Sequence, residues 1–175
     1  MMKKNLIYAA IVLLLAVAGG VIFYLCRDTD EKQLRRMLDE LCEIVSKSSG
    51  ENHAVSGFKA NRADKVFAQR CEIKFGRTLF DGTYTPTELG ASIMRFKALF
   101  QHLNVSCSDL VTAIGTPGPD GKKYAKVFFT GRCSGVLKNS SKEKVDEIRD
   151  LNGLAVKDEK GWRIVALDIV KVLEK

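Results

Sequence analysis

Proline is scarce in this 175-residue chain, with three residues in all, and that excludes a Pro-rich linker between domains. Histidine is scarcer: only His53 and His102 occur, far apart, and each reads as a surface or capping residue. The five cysteines, Cys26, Cys42, Cys71, Cys107 and Cys133, form no C-x-x-C pair. Without clustered His or paired Cys there is no zinc pattern, so no metal is expected. The cysteines are also too few for a disulfide scaffold. No G-x-S-x-G elbow is present, which removes the commonest serine-hydrolase signature. Gly115 to Lys122 has the glycines of a phosphate loop but the wrong spacing, and Lys123 stands where Ser or Thr should follow. No cofactor is implied. A basic block is missing too. The net charge is +7, yet the excess is spread along the chain, and the nearest cluster, Arg35-Arg36, is followed by acids. No nucleic-acid partner is expected from that pattern.

What the chain has is apolar content, 46% against 28% charged residues. That mixture suits one ordinary folded domain and excludes both a mostly disordered chain and a wholly membrane-embedded one. The apolar residues are not evenly spread. After a four-residue leader, residues 1–4, positions 5–26 read NLIYAAIVLLLAVAGGVIFYLC without a charge. As a helix this run reaches about 33 Å, enough for a hydrocarbon core of roughly 30 Å. A single transmembrane anchor is therefore expected, with the membrane as partner through residues 5–26. The rival is a cleaved signal peptide ending at Ala16-Val17-Ala18, although the apolar run continues well past that site. Lys3 and Lys4 precede the run while Arg27, Lys32, Arg35 and Arg36 follow it, so the positive-inside count is nearly balanced. The short leader favours a single-pass protein of the cell membrane whose C-terminal domain, residues 27–175, is extracytoplasmic.

In that domain Asp28-Thr29-Asp30 supplies helix N-cap chemistry. Leu34, Leu38, Leu41 and Val45 then make one apolar stripe at helical spacing, fading at Ser46–Gly50. A second helical stretch is expected near Ser56–Ala68. Cys71–Phe75 alternates as a strand, with a turn at Gly76-Arg77 into Thr78–Phe80. Thr85-Pro86-Thr87-Glu88 is a capping box with proline at the first helical position, so it predicts a helix that ends near His102. Beyond it the period changes to two, and strands fit 104–114, 123–137, 145–157 and 162–173. Asp158–Gly161 reads as a tight hairpin turn. The fold class is α+β: three helices packed on a strongly curved, cone-like antiparallel sheet, preceded by one transmembrane helix.

This order of helix, helix, short hairpin, helix and long meander resembles the nuclear transport factor 2-like superfamily. The stretch from Cys71-Glu72-Ile73 through Phe80-Asp81-Gly82, Tyr84, Pro86 and Glu88-Leu89 is similar to that family's strand, glycine turn and third helix. Lys160-Gly161-Trp162-Arg163-Ile164 is similar to its final hairpin. The resemblance implies a cavity between sheet and helices, and frequent dimers. It does not imply one function. Ketosteroid isomerase, within the superfamily, uses acids with a tyrosine, to which Tyr84 compares loosely.

Register arithmetic places the candidate site residues. A first long hairpin centred on Asp120 sets Cys107 opposite Cys133 and Asp109 opposite Gly131. The odd positions of both strands then face the helices. In an oxidising space Cys107 and Cys133 could close a disulfide; otherwise they pack as small apolar groups. In the final hairpin Asp150 and Asp168 fall on the face of Leu154, Val156, Trp162 and Ile164. With Asp109 they are the acids placed near a cavity, where paired carboxylates can do general acid/base work. At strand ends they are simply solvated. Val165, Leu167 and Ile169 make the last strand apolar on both sides, which suggests a homodimer through the sheet. Two functions follow. The first is a membrane-anchored, non-catalytic binding or assembly domain of the cell envelope. The alternative is a small-molecule isomerase or dehydratase using Asp109, Asp150, Asp168 and Tyr84.

Overall fold

The computed structural model describes residues 29–76, 81–138 and 143–171. The run expected as an anchor, residues 5–26, lies outside the described residues, as does Thr78–Phe80. Among the described residues no helix is long and apolar enough to cross a membrane. Gln33–Lys175 forms one compact unit.

The amphipathic stripe folds as α1 (Asp30–Val45), which buries Leu34, Met37, Leu38, Leu41, Cys42 and Ile44. The second helical stretch divides into α2 (His53–Ala60) and a single turn, α3 (Ala63–Val66). Asn52 caps α2 by accepting the Val55 N–H, and the chain then passes straight into β1 (Phe67–Lys74). β2 (Gly82–Tyr84) pairs with β1 and leads into α4 (Pro86–Ala98). The capping box at its start is complete. The Thr85 N–H donates to the Glu88 carboxylate at 2.7 Å, and the Thr85 hydroxyl accepts the Glu88 N–H at 3.3 Å. α4 stops at Ala98 rather than near His102, because Phe100 already pairs with Leu137. The long strands are β3 (Phe100–Ile114), β4 (Lys123–Leu137), β5 (Lys144–Asp158) and β6 (Gly161–Lys171).

The six strands lie in the order β2-β1-β6-β5-β4-β3. The sheet is mixed, not all antiparallel as the sequence suggested, because β1 and β6 run parallel. Topology forces this. α4 carries the chain back along the sheet, so β3 starts in the direction of β2. Three hairpin reversals then leave β6 antiparallel to β2 and parallel to β1.

Two register shifts overturn the face assignments made above. Cys107 pairs with Gly131 and Cys133 with Val105, two positions away from the expected pairing. One of the two positions comes from the turn, since Val111 already pairs with Phe128 rather than Phe129, and the other from a bulge between Ser108 and Val111, where Asp109 takes a positive φ of 53°. Before the bulge the odd residues face the helices as expected. After it Val111 turns outward and is 62% exposed. In the last hairpin Leu154 pairs with Ala166 but Ala155 with Ile164, so Val165 is the extra residue. Trp162, Ile164 and Leu167 consequently all face inward, across a change of parity.

The core between α1 and the concave face joins Leu34, Leu38 and Ile44 to Val66, Cys71, Val127, Ala155 and Ile164. The loop after α1 covers the β3 edge through paired backbone bonds between Lys47 and Leu103. Lys97, in the last turn of α4, is only 1% exposed. Its ammonium donates to the Ile44 carbonyl at 3.1 Å and pairs with Glu51 at 2.9 Å. Lys47 in return donates to the Lys97 and Phe100 carbonyls at 3.0 and 2.7 Å. Lys97 thus supplies a cation to the carboxyl end of α1 and Lys47 to that of α4, the ends where orphan carbonyls accumulate.

Candidate functional site

A cavity of about 870 Å³ opens between α1, α4 and the concave face of the sheet. Its wall is overwhelmingly apolar. α1 contributes Leu41 and Val45, α4 contributes Leu89, Ile93 and Phe96, and the sheet contributes Ile73, Phe129, Leu151, Leu167 and Ile169. Each follows from local periodicity. The α1 residues continue the helical stripe, and the sheet residues are the inward members of alternating strands. Glycine helps to make the space. Gly131 sits on the inner face opposite Arg149, and a Cβ there would lie 2.8 Å from Leu151 Cδ1.

Six polar side chains interrupt this wall: Cys42, Cys107, Tyr84, Ser92, Arg95 and Arg149. Among its described residues none is acidic. The two thiols meet across the layers, Cys42 from α1 and Cys107 from β3. Cys42 holds its proton, since its hydrogen bond to Cys107 and its burial both raise its pKa. That hydrogen bond lowers the pKa of Cys107 and outweighs the burial acting the other way. Asp39, an exposed residue of α1, adds negative potential at both sulfurs. Arg149 carries a carboxylate partner, with Nη2 at 2.5 Å from Glu147. The arrangement can hold an apolar molecule, present it to a thiol and a phenol, and place guanidinium groups where negative charge develops.

Of the residues expected to form the site, Tyr84 and Cys107 are in the wall and the carboxylates are not. Asp109 is exposed at the bulge and accepts a 2.9 Å hydrogen bond from Ser108. Asp150 is exposed on the convex face, where the Thr130 hydroxyl donates to it at 3.0 Å. Asp168 shares that face, opposite Asn152 and beside Lys74. All three were displaced by the register shifts that turned their neighbours. The Cys107–Cys133 pairing is corrected for the same reason: the two are diagonal rather than opposite, and both thiols are free. Cys42, Ser92, Arg95 and Arg149 were not foreseen. Cys42 was findable, since it sits one turn beyond Leu38 on the α1 stripe.

No family model matches the chain, and no curated protein does. Solved structures do. A protein assigned as a scytalone dehydratase from Novosphingobium aromaticivorans is 10% identical, with a TM-score of 0.61 over 82% of this chain and 84% of that one. Hexachlorocyclohexane dehydrochlorinase LinA-type3 from Novosphingobium barchaimii is 9% identical, with a TM-score of 0.58 over 83% and 94%. A protein assigned as a dehydratase of the nuclear transport factor 2-like family from Streptomyces avermitilis is 14% identical, with a TM-score of 0.55 over 84% and 99%. These neighbours are described as enzymes of small molecules, which corrects the expectation of a non-catalytic envelope domain. The fold of the described domain is accordingly the nuclear transport factor 2-like fold: helices on a curved, six-stranded mixed sheet.

Proposed function

We propose that the chain is an enzyme that moves a proton on a small, mostly apolar molecule held in the cone, in an isomerisation or elimination. One observation carries this reading. A cavity of about 870 Å³ is apolar almost throughout, yet its few polar groups are a hydrogen-bonded thiol pair, a phenol, a serine hydroxyl and two guanidinium groups. Proton transfer needs a base whose pKa lies near the working pH. Cys107 is that base: the Cys42 S–H donates to it and favours its ionised form. Tyr84 donates a hydrogen bond to the oxygen or leaving group that gains charge, and Arg149 adds positive potential. An apolar wall strengthens each of these interactions by excluding water. The solved structures described as dehydratases and a dehydrochlorinase support the reaction class. The carboxylates Asp109, Asp150 and Asp168 have no part in it.

The test uses two probe reactions: chloride release from hexachlorocyclohexane, and isomerisation of a β,γ-unsaturated cyclic ketone followed by product absorbance. Turnover of one of them is expected. It should rise with pH through a group titrating below the ordinary thiol range, and Cys107→Ala should lower kcat at least 100-fold while apolar probe binding persists. Undiminished turnover in Cys107→Ala, or no turnover of either compound by protein that binds it, would overturn the reading.

A further inference from the structure

Cys42 and Cys107 are the two described thiols in the cavity wall, both are free, and they touch. The other described cysteines are poorly placed to react with either. Cys71 is fully buried, and burial pushes its thiol up to about 12. Cys133 stands opposite Val105, so it is diagonal to Cys107. Diagonal residues on one sheet face lie roughly 7–8 Å apart, well beyond the roughly 3.5–4.5 Å between Cβ atoms that a disulfide requires.

We propose that Cys42 and Cys107 form a reversible dithiol–disulfide couple that ties α1 to β3 through the cavity wall. The Cys107 thiolate attacks one oxygen of a peroxide, taking up a hydroxyl as sulfenic acid, while the other oxygen leaves and is protonated. The Cys42 sulfur then displaces water from the sulfenic acid, and the S–S bond forms. With hydrogen peroxide the two thiols lose two electrons and two protons, and two waters are produced. A small-molecule dithiol reverses the reaction by exchange. Because Cys42 is buried, the oxidant enters through the cavity. A thiolate favoured by its neighbour is the species that starts such chemistry.

Closing the bond changes the cavity. Two sulfurs in hydrogen-bonding contact must approach to about 2.05 Å. Leu41 and Val45 flank Cys42 in the same wall, so α1 carries them inward with it. The reduced protein is the open form and the oxidised protein the narrowed one. This inference shares the site of the proposed reaction but is read on the covalent state, so the two can fail separately.

The full chain, reduced and then treated with one equivalent of hydrogen peroxide, should lose two hydrogens by intact mass. A non-reducing peptide map should show Cys42 joined to Cys107, and dithiothreitol should undo the bond. Affinity for an anilinonaphthalene sulfonate probe should fall at least fivefold on oxidation and recover on reduction. Cys42→Ser should abolish both changes, whereas Cys133→Ser should keep both. Should Cys42→Ser fail to fold, the peptide map of the wild-type chain still decides. A bond from Cys107 to Cys133 or Cys26 would overturn the proposal, as would sulfinic acid at Cys107 without a bond, or a correct bond that leaves probe affinity unchanged.

Discussion

Glu51 shows how much a single side chain can hold. Burial alone would raise its carboxyl pKa, but Lys59, Ser56, Lys97 and the Ser48 N–H all donate to it and together hold the pKa at about 2. Its side chain is 2% exposed and that of Lys97 1%. Burial pushes the Lys97 ammonium down, and the hydrogen bond and charge of Glu51 act against that. Two consequences follow for stability. A carboxylate with a depressed folded pKa stabilises the fold at pH values above roughly 4.3, where an unfolded glutamate is already ionised. That contribution fades as pH falls from there towards about 2. Urea midpoints measured across this range should therefore decline more steeply for the native chain than for Glu51→Gln. Glu51→Gln also leaves the Lys97 charge buried without its partner, so it should cost about 3–5 kcal/mol at neutral pH. A loss below 1 kcal/mol, or the same acid slope in both proteins, would contradict the assignment. Nothing in the sequence singled Glu51 out, because its partners come from three separate segments.

At the scale of elements, what could be read in the sequence was whatever depends on neighbours along the chain. The α1 stripe, the Thr85–Glu88 capping box and the Asp158–Gly161 turn are all local, and each is where periodicity and capping chemistry put it. The face of each long strand is not local, because one extra residue inverts every side chain beyond it. Asp109 and Val165 are those extra residues. Val165 does not announce itself in Ile164-Val165-Ala166, whereas Asp109 does: in Cys107-Ser108-Asp109-Leu110-Val111 a charge falls at an apolar position and two apolar residues then adjoin. Aspartate is among the few non-glycine residues that tolerate positive φ, at a cost that glycine avoids. Asp109→Gly should therefore keep the bulge, leave stability unchanged or raise it by up to about 1 kcal/mol, and preserve both probe binding and turnover. Denaturation and kinetics on the same sample check both parts. A loss of turnover would return Asp109 to the catalytic role that its position denies.

On the scale of the whole molecule the sheet has two unlike faces. The concave one is roofed by α1 and α4 and encloses the cavity. The convex one is open and carries apolar residues on all four long strands: Val111, Phe128, Ile148 and Val170, each more than 40% exposed. Between them stand Lys126, Arg132, Asp146, Asp150 and Asp168, so both signs of charge share one surface. A two-fold axis brings any surface against itself, and a face that carries apolar residues together with both signs of charge suits such an arrangement. We propose that a second copy covers this face. Val111 and Phe128 are directly paired on it, on the two strands nearest one edge. Phe128→Asp places a carboxylate among those apolar side chains, in a surface already supplied with acids. Sedimentation equilibrium should give a dimer for the native chain and a monomer for Phe128→Asp, with cavity probe binding intact because the substituted side chain points away from the cone. Equal masses for the two proteins would exclude the convex face as the interface, and would leave those four apolar side chains as ordinary exposed surface.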